Sequence, residues 1–207
     1  MRIKVSIALA AVLAAPAAAQ TPDEDMAAIR HAGEKYRDVQ TALADGYMAD
    51  PTNTCVTAEL MGLPAEGGGM GIHYFRPDLL GITATEPRLT GADPAIDWAK
   101  PEVLVYEPQA DGSLTLVAVE YLVFQAPWDA AAGAGVAPKF HDVAFTVMAD
   151  DPATEIDEAH AFEPHYELHV WTERDNPTGM FAEFNPAVSC AAAQPPADPG
   201  AHGGHGE

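Results

Sequence analysis

The run Leu114-Thr115-Leu116-Val117-Ala118-Val119-Glu120-Tyr121-Leu122-Val123-Phe124 constrains the fold of this 207-residue chain more than any other stretch. Along an extended strand, Leu116, Ala118, Leu122 and Phe124 share one face with Glu120, while Val117, Val119, Tyr121 and Val123 share the other. Both faces are apolar, so the strand must be covered on both sides and belongs in the middle of a sheet. Upstream lies Val103-Leu104-Val105-Tyr106, and between the two runs sits Asp111-Gly112, a pair suited to a tight turn. The two runs therefore form a hairpin.

Other segments fill in a fold class. Thr21 is a candidate N-cap, Pro22 suits a first helical position, and Ile29, Ala32, Tyr36, Val39 and Leu43 recur at helical spacing, so the sequence predicts one amphipathic helix from Pro22 to Asp45, stopped by Gly46. A glycine-rich loop, residues 67–71, leads into a short strand, Ile72 to Phe75. Residues 76–101 show no periodicity, whereas Val143 to Met148 and Tyr166 to Thr172 read as further strands. The expected fold is α+β: one helix packed on a curved, barrel-like antiparallel sheet, with a sandwich as the competing form.

Arg2 and Lys4, an apolar run from Val5 to Ala15, and Ala17-Ala18-Ala19 read as a secretory signal over residues 1–19, too short to span a membrane. The remaining chain divides into one expected globular domain, 20–190, and an Ala/Pro/Gly/His tail, 191–207, expected to be disordered. The implied location is periplasmic or secreted, without membrane insertion. With 31 acidic against 10 basic residues and a net charge of −21, the surface repels nucleic acid. In an oxidising compartment the two cysteines, Cys55 and Cys190, pair by default; closing so long a loop is worth roughly 4–5 kcal/mol in the chain-entropy model.

The chemistry concentrates in Pro164-His165-Tyr166-Glu167-Leu168-His169-Val170-Trp171. Alternation puts His165, Glu167, His169 and Trp171 on one face and Tyr166, Leu168 and Val170 on the other. Imidazole and carboxylate are ligands for zinc, copper or non-haem iron. Three positions spaced by two residues span about 13 Å, too far for all three to hold one ion. The strand can supply one edge of a site, through His169, with His73 and Glu120 as candidates for the rest. Glu120 has few basic residues available as partners, and a buried carboxylate needs a partner, a cation or a polar cavity. His73 follows glycines that permit close backbone approach. The candidate metal set is thus His73, Glu120, His165, Glu167 and His169. No P-loop, dinucleotide fingerprint, Gly-x-Ser-x-Gly or His-Glu-x-x-His occurs, so no nucleotide cofactor is expected.

Gly69-Met70-Gly71-Ile72-His73-Tyr74, Pro101 to Glu107, Val119-Glu120-Tyr121, Leu168 to Trp171, Asn176 to Phe181 and Asn185 to Cys190, in that order, resemble a family of uncharacterised exported bacterial proteins. The resemblance runs from about Tyr36 to Cys190. It implies that these segments belong to one domain and that the cysteines recur as a pair, and it brings no activity. Arg76 departs from the Asn expected before the proline. Three functional readings stand open: a protein binding a divalent transition metal or small ligand in a polar His/Glu cavity, a small enzyme using a His general base with a carboxylate partner, and a non-catalytic interaction module with exposed histidines.

Overall fold

The structure, a computed structural model, describes residues 20–193. The expected signal segment and residues 194–207 of the expected tail lie outside them. Among the described residues the helices are α1 (Pro22–Glu34), α2 (Val39–Ala44), α3 (Pro77–Leu80) and α4 (Gln125–Ala132). The strands are β1 (Met48–Ala49), β2 (Val56–Thr57), β3 (Gly69–Phe75), β4 (Ile82–Ala84), β5 (Thr90–Gly91), β6 (Val103–Pro108), β7 (Leu114–Phe124), β8 (Lys139–Phe140), β9 (Val143–Ala144), β10 (Thr146–Met148) and β11 (His165–Val170). None of the helices is long and apolar enough to cross a membrane.

The main sheet is antiparallel, in the order β1-β3-β6-β7-β11-β10, with β2 also paired to β3. The hairpin read from the sequence forms β6 and β7, with Val103 opposite Glu120 and Pro108 opposite Leu114. Gly112 takes φ +85 in the turn, a conformation that costs glycine little. Every residue from Leu116 to Phe124 is buried, as two apolar faces require.

The expected barrel does not close. Its end strands, β1 and β10, do not pair, and the other two sheets, β4-β5 and β8-β9, have two strands each. The Val143–Met148 run is the reason at one edge. It splits at Phe145, whose N–H donates to Pro138 O, so β9 pairs with β8 while only the three residues of β10 join β11.

The single expected helix is also two. Thr21 caps α1 through a reciprocal pair of bonds with Glu24, and Asp38 starts α2 afresh by accepting from Gln40 N–H. The break leaves the Tyr36 carbonyl free to accept from the Tyr106 hydroxyl at 2.7 Å, a bond from the helical segment to β6. Ile29, Tyr36 and Ala42 share a buried cluster with Leu104, Tyr106, Val119, Tyr121, Leu168 and Val170 on one face of the sheet.

The opposite face carries two smaller apolar clusters, one around Phe75, Val103, Leu122, Phe124 and Phe162, the other around Val105, Ala118, Trp171 and Val188. Cys55 and Cys190 are bonded, with Cα atoms 5.6 Å apart, and tie the last described segment to the start of β2.

Gly71 sits where β3 is squeezed between β2 and β6. Its φ is +127, and a Cβ there would lie 2.7 Å from Tyr106 O and 2.8 Å from Val105 Cγ1. Gly71→Ala is therefore expected to cost about 1–3 kcal/mol, measured as a lower urea midpoint. An unchanged midpoint would show that β3 has slack at this point.

Candidate metal centre

Strand register brings the candidate residues onto one face. Glu120 of β7 lies directly opposite His169 of β11, Leu122 lies opposite Glu167, and Phe124 opposite His165. On the other side of β7, Val103 of β6 pairs with Glu120, and Val105 pairs with His73 of β3. Directly opposed side chains stand about 5 Å apart, so His169 and Glu120 meet as a cross-strand pair. His73 lies two strands away from Glu120, with only short valine side chains on the intervening β6, so imidazole and carboxylate meet above it.

One ligand atom from each of His73, Glu120 and His169 falls within a 4.8 Å group. Glu120 Oε2 lies 3.5 Å from His73 Nε2 and 3.5 Å from His169 Nε2. Hydrogen bonds need about 2.7–3.2 Å, and Glu120 Oε2 and His169 Nε2 have no hydrogen-bond partner. Metal–ligand bonds of about 2.0–2.1 Å in a tetrahedron place neighbouring ligand atoms about 3.3–3.4 Å apart. The two separations around Glu120 suit shared coordination of a cation better than direct bonding, and the two imidazole nitrogens lie within 4.8 Å of each other.

His165 and Glu167 continue the same row. His165 Nδ1 lies 3.0 Å from Glu163 O. A carbonyl only accepts, so Nδ1 carries the proton, and in the neutral ring Nε2 presents a lone pair. That nitrogen faces Glu167 Oε2 at 3.4 Å, while Glu167 Oε1 faces His169 Nδ1 at 3.6 Å. The His169 ring stacks on Trp171, centroids 6.0 Å apart, which fixes its plane.

Two residues that the sequence reading passed over complete the surroundings. Asp50 Oδ2 points at His73 Nδ1 from 4.0 Å. Its other oxygen, Oδ1, accepts from Thr52 Oγ1 and Asn53 N. His160 stacks on His73, with ring centroids 5.8 Å apart. The Asp50-Pro51-Thr52-Asn53 composition signals a turn, and that was the available clue to Asp50. His160 sits in an acidic connection with no periodic pattern and takes φ +53, so nothing local pointed to it. A cavity of about 10 Å³ lies among Asp50, His73, Glu120, His160, His165 and Glu167, space for about one water molecule or ion.

The electrostatics follow from burial without a basic partner. Glu107, also buried, accepts from Arg174 and from Ser189 N–H. Glu120 has no such cation, and burial, reinforced by Glu167 and then Glu102, pushes its carboxyl well above the ordinary carboxylate range. Burial alone would raise Glu167 too; the adjacent His165 and His169, which on taking up a proton can donate to it and offset its charge, outweigh burial and hold Glu167 low. Burial also depresses His73, His160 and His169, so the imidazoles favour the neutral form that ligates metal.

The chain matches no family model, no curated protein and no solved structure. Its function is therefore read from the site's own chemistry.

Glu120 supplies a pH test of this electrostatic picture. Its folded-state value lies above the unfolded one, so the folded chain keeps a proton that the unfolded chain loses above about pH 4.5. Its contribution to stability must then decline as pH rises from there through the raised value. In metal-free protein, Glu120→Gln, which mimics the neutral carboxyl, should gain stability relative to wild type between pH 5 and pH 8. Urea unfolding of both proteins at the two pH values measures this, and a pH-independent difference would show that Glu120 is ionised throughout.

Proposed function

We propose that this chain is an exported protein that binds a divalent transition metal at a buried centre of His73, Glu120 and His169. One observation carries the proposal: three buried donor residues converge within 4.8 Å, Glu120 Oε2 and His169 Nε2 lack any hydrogen-bond partner, and the small cavity that His73 and Glu120 line has no Lys or Arg in its wall. Two imidazoles and one carboxylate leave coordination positions open, and zinc, copper and iron all accept this donor set. His165 and Glu167 belong to the centre in this reading: Glu167 lies between His165 and His169 and offers a further carboxylate oxygen.

Export rests on the Arg2/Lys4-led apolar segment, and the Cys55–Cys190 bond is compatible with an oxidising compartment. Membership in the exported family that the chain resembles is part of the same proposal. The interaction-module reading needed exposed strand histidines, whereas His165 and His169 are 1% and 2% exposed. The general-base reading needed His73, Glu120 and His169 to converge, and they do; the unpaired Glu120 Oε2 and His169 Nε2 at 3.5 Å separations favour the metal over it.

Protein produced without a purification tag of histidines is expected to hold about one metal ion per chain in the centre. His73→Ala with His169→Ala should lower affinity at least about a hundredfold, because a single carboxylate remains of the three-residue set. His202 and His205 are present in both proteins, so the difference isolates the centre from the tail. Elemental analysis and competition with a chromophoric chelator read the result; equal content and affinity in wild type and double variant would end the metal reading. Metal affinity should also fall on acidification, since protons compete for both imidazoles and for Glu120.

A further inference from the structure

A second cavity lies directly outside the centre. It has a volume of about 280 Å³ and is walled by Val56, Leu60, Met61 and Ile156, with Thr52, Thr54, Glu155, Asp157 and His160 as its polar residues. His160 lines both this cavity and the small inner one beside His73 and Glu120. The other connection is Thr52, whose hydroxyl donates inward to Asp50 at 2.7 Å. Outer cavity and inner centre are thus separated by the depth of one side chain.

The backbone at this wall is unusual. His160 and Ala161 are consecutive non-glycine residues at φ +53 and +64, a conformation that carries strain and persists only where surroundings enforce it. Here Ala161 N–H donates to Asp157 Oδ2, and Leu89 N–H donates to Ala161 O, which pins the turn from both sides. The effect is to hold a buried imidazole between the two cavities, with Nε2 lacking any hydrogen-bond partner. An unpaired buried polar atom calls for an explanation, and a bound water, ion or ligand group beside it is one.

The lining also says what fits. The walls are aliphatic, and Leu60 remains 49% exposed at the rim. No Lys or Arg lines the cavity, so an anionic head would find no counter-charge. Asp157 is occupied by Arg88 and by Ala161 N–H, whereas Glu155 forms no ion pair or hydrogen bond among the described residues. Both threonine hydroxyls spend their protons on the protein, Thr52 on Asp50 and Thr54 on Thr52 O, so they present acceptor lone pairs to the cavity. A pocket with aliphatic walls, spare acceptors and one free carboxylate selects a hydrogen-bond-donating cation on a small apolar body.

We infer that the cavity over His160 is the ligand pocket of the metal centre and binds small apolar amines. The role assigned to the neighbouring centre rests on the metal-binding proposal; the pocket's preference for amines rests on its own lining. A short aliphatic amine fits with its chain between Leu60, Met61 and Ile156 and its ammonium group near Glu155 and the threonine oxygens, beside His160 and the inner centre.

The test uses the full-length mature protein, once with metal restored and once after chelation, with n-pentylamine, 1-pentanol and pentanoate as probes in saturation-transfer NMR titrations. Pentylamine is expected to bind at least about ten times more tightly than pentanoate, with pentanol between them. Ile156→Trp, which fills the cavity, should abolish this binding while metal content stays as in wild type. Leu60→Trp, at an exposed rim position, repeats the test if Ile156→Trp fails to fold. Pentanoate binding as well as pentylamine, or pentylamine binding that survives a folded filling variant, would overturn the inference. Binding that is identical with and without metal, in protein shown to hold metal, would detach the pocket from the centre and overturn its role as the centre's ligand site. A protein that never holds metal would instead fail the elemental analysis, a readout independent of these titrations.

Discussion

A carboxylate in the middle of the central strand, without a basic partner, is the constraint on which the rest of this structure depends. Glu120 is held by β6 on one side and β11 on the other, so it cannot reach solvent. The chain has 10 basic residues against 31 acidic ones, and Arg174 serves another buried glutamate of this sheet, Glu107. Glu120 is left with imidazoles at distances too long for hydrogen bonds. A buried charge is tolerated when it is neutralised, paired or bound to a cation. Protonation satisfies that requirement in metal-free protein, and a metal ion satisfies it in the proposed holo form.

Sheet geometry makes the arrangement possible. Opposed residues on adjacent strands put His169 beside Glu120, and small side chains on β6 let His73 reach across. Bulky residues at Val103 and Val105 would separate the donors, even with every candidate ligand retained. The apolar clusters flanking the row exclude water, which raises the Glu120 carboxyl and depresses the imidazoles. Burial thus favours neutral nitrogen donors and attaches the carboxylate's ionisation to cation uptake.

Much of this was legible from local pattern. Double-faced apolarity marked β7 as central, Asp111-Gly112 marked the hairpin, and alternation in 165–171 assigned its two faces, with Tyr166, Leu168 and Val170 now in the large core. The failures share a cause. The long helix breaks because Asp38 caps a second helix and Tyr106 takes the Tyr36 carbonyl, an interaction across 70 residues that helical spacing does not register. The Val143–Met148 run divides between two sheets because Phe145 bonds to Pro138, again outside the window in which alternation is read. α4 went unread because Gln125–Ala132 follows the strand without a helix-capping side chain.

The sequence by itself determined which residues are capable of chemistry and which face of each strand they occupy, because side-chain alternation is a property of the extended backbone alone. It also set the limit that one strand cannot enclose an ion, since its rise per residue separates the donors too widely. Only the tertiary structure decided that His73 crosses β6 to meet Glu120 and His169, that Asp50 and His160 close the site, and that a second cavity opens outside it. Those are consequences of register and loop path, in which residues far apart along the chain come within a few ångströms, and no local pattern encodes such distances.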